Sequence, residues 1–413
     1  MATASLALLD QTLQLPSPPA VAYNGGRSDR LSQEIFSILE SNFLFGASPL
    51  EGVGACSAGR VRVLSIDGAA DGGALAAAAL VRLERRLKEL SGNPSARVAD
   101  FFDLAAGSGA GGFLAAALFA CRMPAEAARE FVAKNRKVLS GGRGGSGGLM
   151  SMSFRRARPD ALFRKVFGDL TVRDAAKPLL IPCYDMASAA PFVFSRADAV
   201  EADAFDFPLW QVCAAACGVG PSEVASLDGR TRLRAAAGPA GAGGASAAVA
   251  NPTAVALTHV LHNKREFPFA AGAADLVVLS LGGSAPAAAA SLGRPSSSSL
   301  LRIAGACQAD MVSEPACLDD RHHFSNRSRA TNYVRIQGNG IAPAGETAEA
   351  ALAERGVESV LFRGKKLMAQ TNGERLDAVA EQLVQEHHRR LESKTPVVLV
   401  KPSATPRTSS SSS

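Results

Sequence analysis

The sequence predicts an α/β fold: a mostly parallel central sheet sandwiched between helices in three layers, with further helices flanking it at both ends. Three observations predict it. A strand, a glycine-rich turn and a small-residue helix follow one another twice between residues 61 and 121. Later apolar runs at 178–183, 192–195 and 276–281 alternate with segments of helical period. Strands alternating with helices build parallel sheets.

Each element follows from local pattern. Leu31, Ile35, Ile38 and Leu39 recur at helical spacing behind Ser28 and Asp29, which are suited to N-capping, so one amphipathic helix is expected to about Phe45. Residues 61–66 alternate and then meet Asp67-Gly68, a strand entering a tight turn. A helix is expected from Ala74 to Leu90, a second strand from Phe101 to Ala105, and a helix behind Gly107–Gly112 to Cys121. Gly141–Gly148 reads as a glycine-rich loop. Helices are expected at Leu209–Cys217, Pro252–Asn263 and Ser297–Val312, the second with Asn251 as N-cap and Pro252 in its first turn. A last amphipathic helix carries Leu376, Val379, Leu383 and Leu391, and the tail from Thr405 is serine-rich. The expected organisation is a loose segment 1–27, a helix and linker 28–58, the α/β domain 59–340, a helical extension 341–404 and a tail 405–413.

Composition narrows the function. The chain has 413 residues, 47% hydrophobic and 20% charged, which suits a folded globular protein. Aromatics make up only 6%, so the core is expected to be close-packed from small side chains. No run of about 18 apolar residues free of charge exists to cross a membrane. The net charge of +6 is spread out, with no dense basic run interleaved with aromatics, which argues against a nucleic-acid module. The 7 Cys form no CxxC pair and read as reduced, buried thiols. The start lacks a basic, apolar export signal, so a cytoplasmic location is expected, peripheral at membranes. Its Ala/Ser-rich character leaves plastid targeting open, against Asp10 and the lack of any Arg before Arg27.

The chemistry lies in the two glycine turns. A strand, a glycine turn and a helix set backbone N–H groups at a helix N-terminus, which suits a phosphate or a developing oxyanion. Gly107–Gly112 spells G-x-G-x-x-G, but the acidic residue a dinucleotide fold needs at the end of the next strand is missing. Glu126 and Glu130 fall instead in a helical stretch. The alternative is a nucleophile elbow, G-x-S-x-G, with its Ser at the tip of the turn. Here the tip is Gly109, and Ser108 comes one place earlier.

At this point the chain resembles the patatin-like lipid acyl hydrolases, in particular a plant subgroup with glycine at the nucleophile position. Leu64-Ser65-Ile66-Asp67-Gly68 resembles the family's entry into its oxyanion loop, and Phe101–Gly112 its elbow. Trp210–Ala215, Asn251–Ala254, Leu261–Lys264, Leu279–Gly282, Ala309–Val312 and Asn332–Gln337 continue the match, over about residues 60–340. The resemblance implies a Ser–Asp dyad without His, a glycerolipid partner, acyl-ester hydrolysis of phospholipids or galactolipids, and no metal or other cofactor. It puts oxyanion donors at Gly68, Ala69, Ala70 and Ala110. The chain departs from the pattern at three places. The nucleophile position is Gly109, the dyad Asp position falls at Gly244, and Gly68–Gly73 lacks the family's loop Arg. Two readings follow: a hydrolase of weak or unorthodox mechanism, with Ser108 as displaced nucleophile or water attacking the ester, and a catalytically inactive lipid-binding protein that regulates lipid metabolism or growth.

Other candidates have plainer roles. His322-His323 and His387-His388 are adjacent pairs, and neighbours on a helix face apart, which suits surface or capping positions. Cys213 and Cys217 read as core packing, Ser65 as structural, Asp67 as an anchor of the first turn and Asp228 as the start of a hairpin. Leu149–Arg156, apolar beside basic, reads either as a surface crossing or as a lipid contact.

Overall fold

In the computed structural model, the segment Val61–Ile66 forms strand β1 and is buried along its whole length. The structure describes residues 59–68, 71–140, 159–219, 223–234, 251–283, 332–338, 348–360, 364–393 and 396–401. The helices expected at 28–45 and 297–312, the loop 141–148, the segment 149–156, His322-His323 and the tail from 405 lie outside these residues.

Helix α1 (Ala74–Ser91) follows the first glycine turn. A single helical turn α2 (Val98–Phe101) precedes β2 (Leu104–Gly107), and α3 (Gly109–Phe119) follows the second turn. The strand expected at 101–105 thus begins three residues later. The cause is local: Asp100 accepts the Arg97 N–H at 2.9 Å and folds Val98–Phe101 into a turn. Then come α4 (Ala125–Leu139), α5 (Pro159–Phe167), β3 (Leu179–Asp185), β4 (Ala190–Ser195), α6 (Arg196–Glu201) and α7 (Leu209–Ala216). A small hairpin β5 (Val224–Ala225) and β6 (Arg232–Leu233) is followed by α8 (Pro252–His262), β7 (Leu276–Leu281), β8 (Tyr333–Ile336) and α9 (Ala348–Ala353). The chain closes with β9 (Arg355–Val360), β10 (Gly364–Thr371) and α10 (Asn372–Glu392).

Six strands form the central sheet in the order β4-β3-β2-β1-β7-β8. All neighbours are parallel except β4, which runs antiparallel at the edge. The alternation along β1 explains why both faces are covered. Val61 and Val63 join Leu104, Leu180 and Leu276 beneath Ala256 and Val260 of α8. Leu64 and Ile66 point the other way, into a larger core with α1, α3, α7 and α10. That core is built largely from Ala, with phenylalanines such as Phe113 and Phe163 as its bulky members.

Two expectations were local enough to hold in detail. The Asn251 side chain accepts the Ala254 N–H at 2.9 Å with Pro252 opening α8, and Asp228 turns the β5–β6 hairpin by accepting from Ser226 Oγ and Arg230 N–H. At the other end, Leu376, Val379 and Leu383 of α10 belong to the sheet's own core, whereas Leu391 is exposed.

Candidate functional site

The two glycine turns meet because their strands are neighbours: Ile66 stands opposite Gly107 in the β1–β2 register. Gly107 ends β2 directly under α3. A Cβ at Gly107 would collide with the Gly111 carbonyl, and one at Gly111 with the Ile66 carbonyl. Two glycines therefore let the helix start against the strands, where a larger residue would force them apart.

Gly109 occupies the tip. Its φ is +52°, in the left-handed region. A Cβ there would point at Gly68, 3.1 Å from its Cα, and 3.9 Å from the Ala216 carbonyl oxygen at the end of α7. The tip of the second turn thus faces the first, as an elbow requires.

Ser108 is the N-cap residue of α3, but its hydroxyl does not cap that helix. Instead its Oγ accepts the Gly68 N–H at 2.9 Å. Its own N–H donates to the Ile66 carbonyl at 3.1 Å, and its carbonyl accepts from Gly112 N–H at 3.2 Å. The residue is 1% exposed. Ser108 therefore ties the two turns together. Among the described residues no carboxylate bonds its hydroxyl. The same bond engages the Gly68 amide, one of the expected oxyanion donors. Ala110, the next expected donor, lies in the first turn of α3, which carries no side-chain cap. Ala69, Ala70 and Gly244 lie outside the described residues.

Asp67 anchors the first turn, through a partner the sequence did not suggest. Its Oδ2 is 2.6 Å from Arg335 Nη2, with both side chains almost fully buried. The same guanidinium donates from Nη1 to Ser280 Oγ and from Nε to Gln337 Oε1. Thr253 of α8 donates to Ser65 Oγ at 2.8 Å and lies 3.2 Å from Ser280 Oγ, so Ser65 is a structural member of the same network. Beyond the turn, Asp71 accepts N–H bonds from Gly73 and Leu75 and starts α1.

The remaining candidates resolve simply. Glu126 and Glu130 lie in α4 and not at the end of a strand, which removes the dinucleotide reading. Cys213 and Cys217 are buried and unpaired, and burial pushes the Cys217 thiol up to about 12. His387 lies tilted against Phe101, ring centroids 5.1 Å apart, in a cavity of about 500 Å³ that also includes His388 and Lys177. A second cavity, of about 300 Å³, lies between α1, α4 and α9. Neither is lined by the glycine turns. Among the described residues no group of three or more metal-ligating side chains forms. No described helix is long and apolar enough to cross a membrane.

Comparison with known proteins bears on these turns directly. Residues 64–221, which span both, match the family model described as patatin-like phospholipase. The chain is 45% identical over 399 residues to patatin-like protein 3 of Oryza sativa subsp. indica, covering 88% of this chain and 92% of the relative. The chain belongs to the patatin-like phospholipase family. Patatin-like protein 7 of Arabidopsis thaliana is 41% identical over 433 residues, covering 91% of this chain and 85% of the relative. The relative named probable inactive patatin-like protein 9, also from Arabidopsis thaliana, is 38% identical over 377 residues, covering 86% and 92%. Patatin-like phospholipases act on lipids, and the six-stranded sheet with its two glycine turns is the α/β architecture expected for the family.

Proposed function

We propose that the protein is an acyl hydrolase of membrane glycerolipids, phospholipids or galactolipids, that works weakly and without a serine nucleophile. It would meet its lipid peripherally, from the cytoplasm, with no metal or other cofactor. The observation that carries this reading is the backbone of Gly109. It keeps the left-handed tip and the approach to Gly68 that an elbow needs, and lacks only the side chain. Gly109 would stand where the family has its nucleophile and Gly244 where it has the base.

What remains is backbone. The amides opening α3, Ala110 among them, sit at the positive end of an 11-residue helix and favour negative charge on a carbonyl oxygen. Water then adds to the carbonyl carbon, the ester C–O bond breaks, and one proton of that water passes to the departing oxygen, so the lysolipid leaves as its alcohol and the water oxygen stays on the released fatty acid. Without a paired nucleophile and base such a site falls short of a full dyad by about 10⁴–10⁶ in rate. Ser108 does not fill the gap, because its hydroxyl is buried and already accepts the Gly68 N–H.

A second reading, lipid binding without turnover, is favoured by that same engagement of Ser108 and by the name of the Arabidopsis thaliana relative. One experiment separates the two. Purified protein is incubated with phosphatidylcholine and with monogalactosyldiacylglycerol, and released fatty acid is compared with a heat-inactivated control. The hydrolase reading predicts slow release that folded Ser108→Ala keeps in part, reduced by the loosened Gly68 turn. No release above the control, with lipid still bound, leaves the binding reading. Loss of release in folded Ser108→Ala would make the Ser108 hydroxyl necessary to turnover, as tie to Gly68 or as nucleophile.

A further inference from the structure

We infer that Arg335 is the positioning residue of the first glycine turn, holding Asp67, and through it Gly68, at the place where the lipid carbonyl is handled. The two residues lie 268 positions apart in the chain, and the sheet brings them together. Ser65, Ser280 and Arg335 stand side by side in the registers of β1, β7 and β8. With a period of two, Asp67 shares the face of Ser65, and Gln337 shares that of Arg335. The three donating directions of the guanidinium are then each met: Asp67 at 2.6 Å, Ser280 at 2.8 Å and Gln337 at 3.0 Å.

This arrangement fixes Asp67 at two points. Its carboxylate is held by Arg335, and its N–H donates to the Leu281 carbonyl at 2.8 Å. Gly68 follows directly, with its own N–H on Ser108. Arg335 acts on the turn through Asp67. It sets where the turn stands. A lysine keeps the charge but offers one compact group in place of the planar fork, so it cannot serve all three acceptors from one position. Removing either partner deprives a buried charge of a counter-ion 2.6 Å away.

The test follows amide hydrogen exchange in the full-length chain, in peptides spanning β1 through the start of α1, beside kcat and KM for phosphatidylcholine release. Arg335→Lys and Asp67→Asn should each speed exchange at the Asp67 and Gly68 amides by about tenfold or more, with β7 and α8 exchanging as in the wild type. Where release is measurable, kcat should fall about tenfold while KM stays within about twofold. Folded Arg335→Lys that exchanges at these two amides like the wild type overturns the inference. So does a rise spread evenly over the sheet, which is the signature of a merely structural role. Should Arg335→Lys fail to fold, Ser280→Ala serves. It removes one acceptor, keeps the ion pair, and should speed the same two amides about threefold. The activity arm rests on the proposed hydrolysis, and the exchange arm does not. Absent release in the wild type therefore defeats the proposed function and leaves exchange to decide the role of Arg335.

Discussion

Ser108 carries its weight as a tie. An N-cap serine ordinarily turns its hydroxyl back onto its own helix. Here the hydroxyl crosses to the Gly68 N–H, so one side chain joins turns 40 residues apart. Replacing it by alanine leaves a backbone donor without its partner, which costs about 1–3 kcal/mol. Urea unfolding of Ser108→Ala should show that loss as a lower midpoint with an unchanged slope. An unchanged midpoint would mean that the bond adds nothing to stability. The same residue marks where sequence reading reaches its limit. Glycines at 107, 109, 111 and 112 declare a turn, because tight approach and positive φ are local demands. The direction of the Ser108 hydroxyl, and the choice of Arg335 as partner for Asp67, depend on strands that become neighbours only in the folded sheet.

At the scale of elements, the closing helix α10 is fastened to the sheet by charge as well as by its leucines. Arg390 donates from both terminal nitrogens to Asp103 at 2.7 Å, and Arg62 holds the same carboxylate from β1. Nearby, Glu386 accepts the Arg60 N–H. Burial alone would raise the Asp103 carboxyl, but the two guanidiniums outweigh it and bring it down from 3.8 to about 2. A depressed folded-state value means that the stabilisation is complete above about pH 4 and is lost as pH falls through about 2. Its size is about 2 kcal/mol. Unfolding free energy measured from pH 5 to pH 2 should fall accordingly, and Arg390→Met should flatten that fall. An equal slope in the variant would assign the acid sensitivity elsewhere. The 3.6-residue spacing of Leu376, Val379 and Leu383 made the helix legible in the sequence, but where it docks was not. The hairpin β9–β10 is not legible in the sequence because residues 366–371 of its second strand are exposed or half-buried and impose no alternation. The turn α2 was missed for a related reason: one capping carboxylate, Asp100, outweighed the pull of Phe101 and Phe102 toward a strand.

For the molecule as a whole, a parallel sheet sends the C-terminal ends of its strands to one edge, and the two glycine turns lie there side by side. That placement was legible from the repeated strand, turn and helix, and so was the family, since the matching segments follow in one order along most of the chain. The central claim is that an acyl carbonyl rests on the backbone of these turns. It is tested most directly by NMR of protein labelled with ¹⁵N-glycine and ¹⁵N-alanine, titrated with micellar lysophosphatidylcholine. Shifts concentrated at the amides of Gly109, Ala110 and Gly111, beyond those caused by the ether-linked analogue that lacks the ester carbonyl, are the predicted result. Binding that moves only distant amides, or moves these three equally with the ether, would contradict the account.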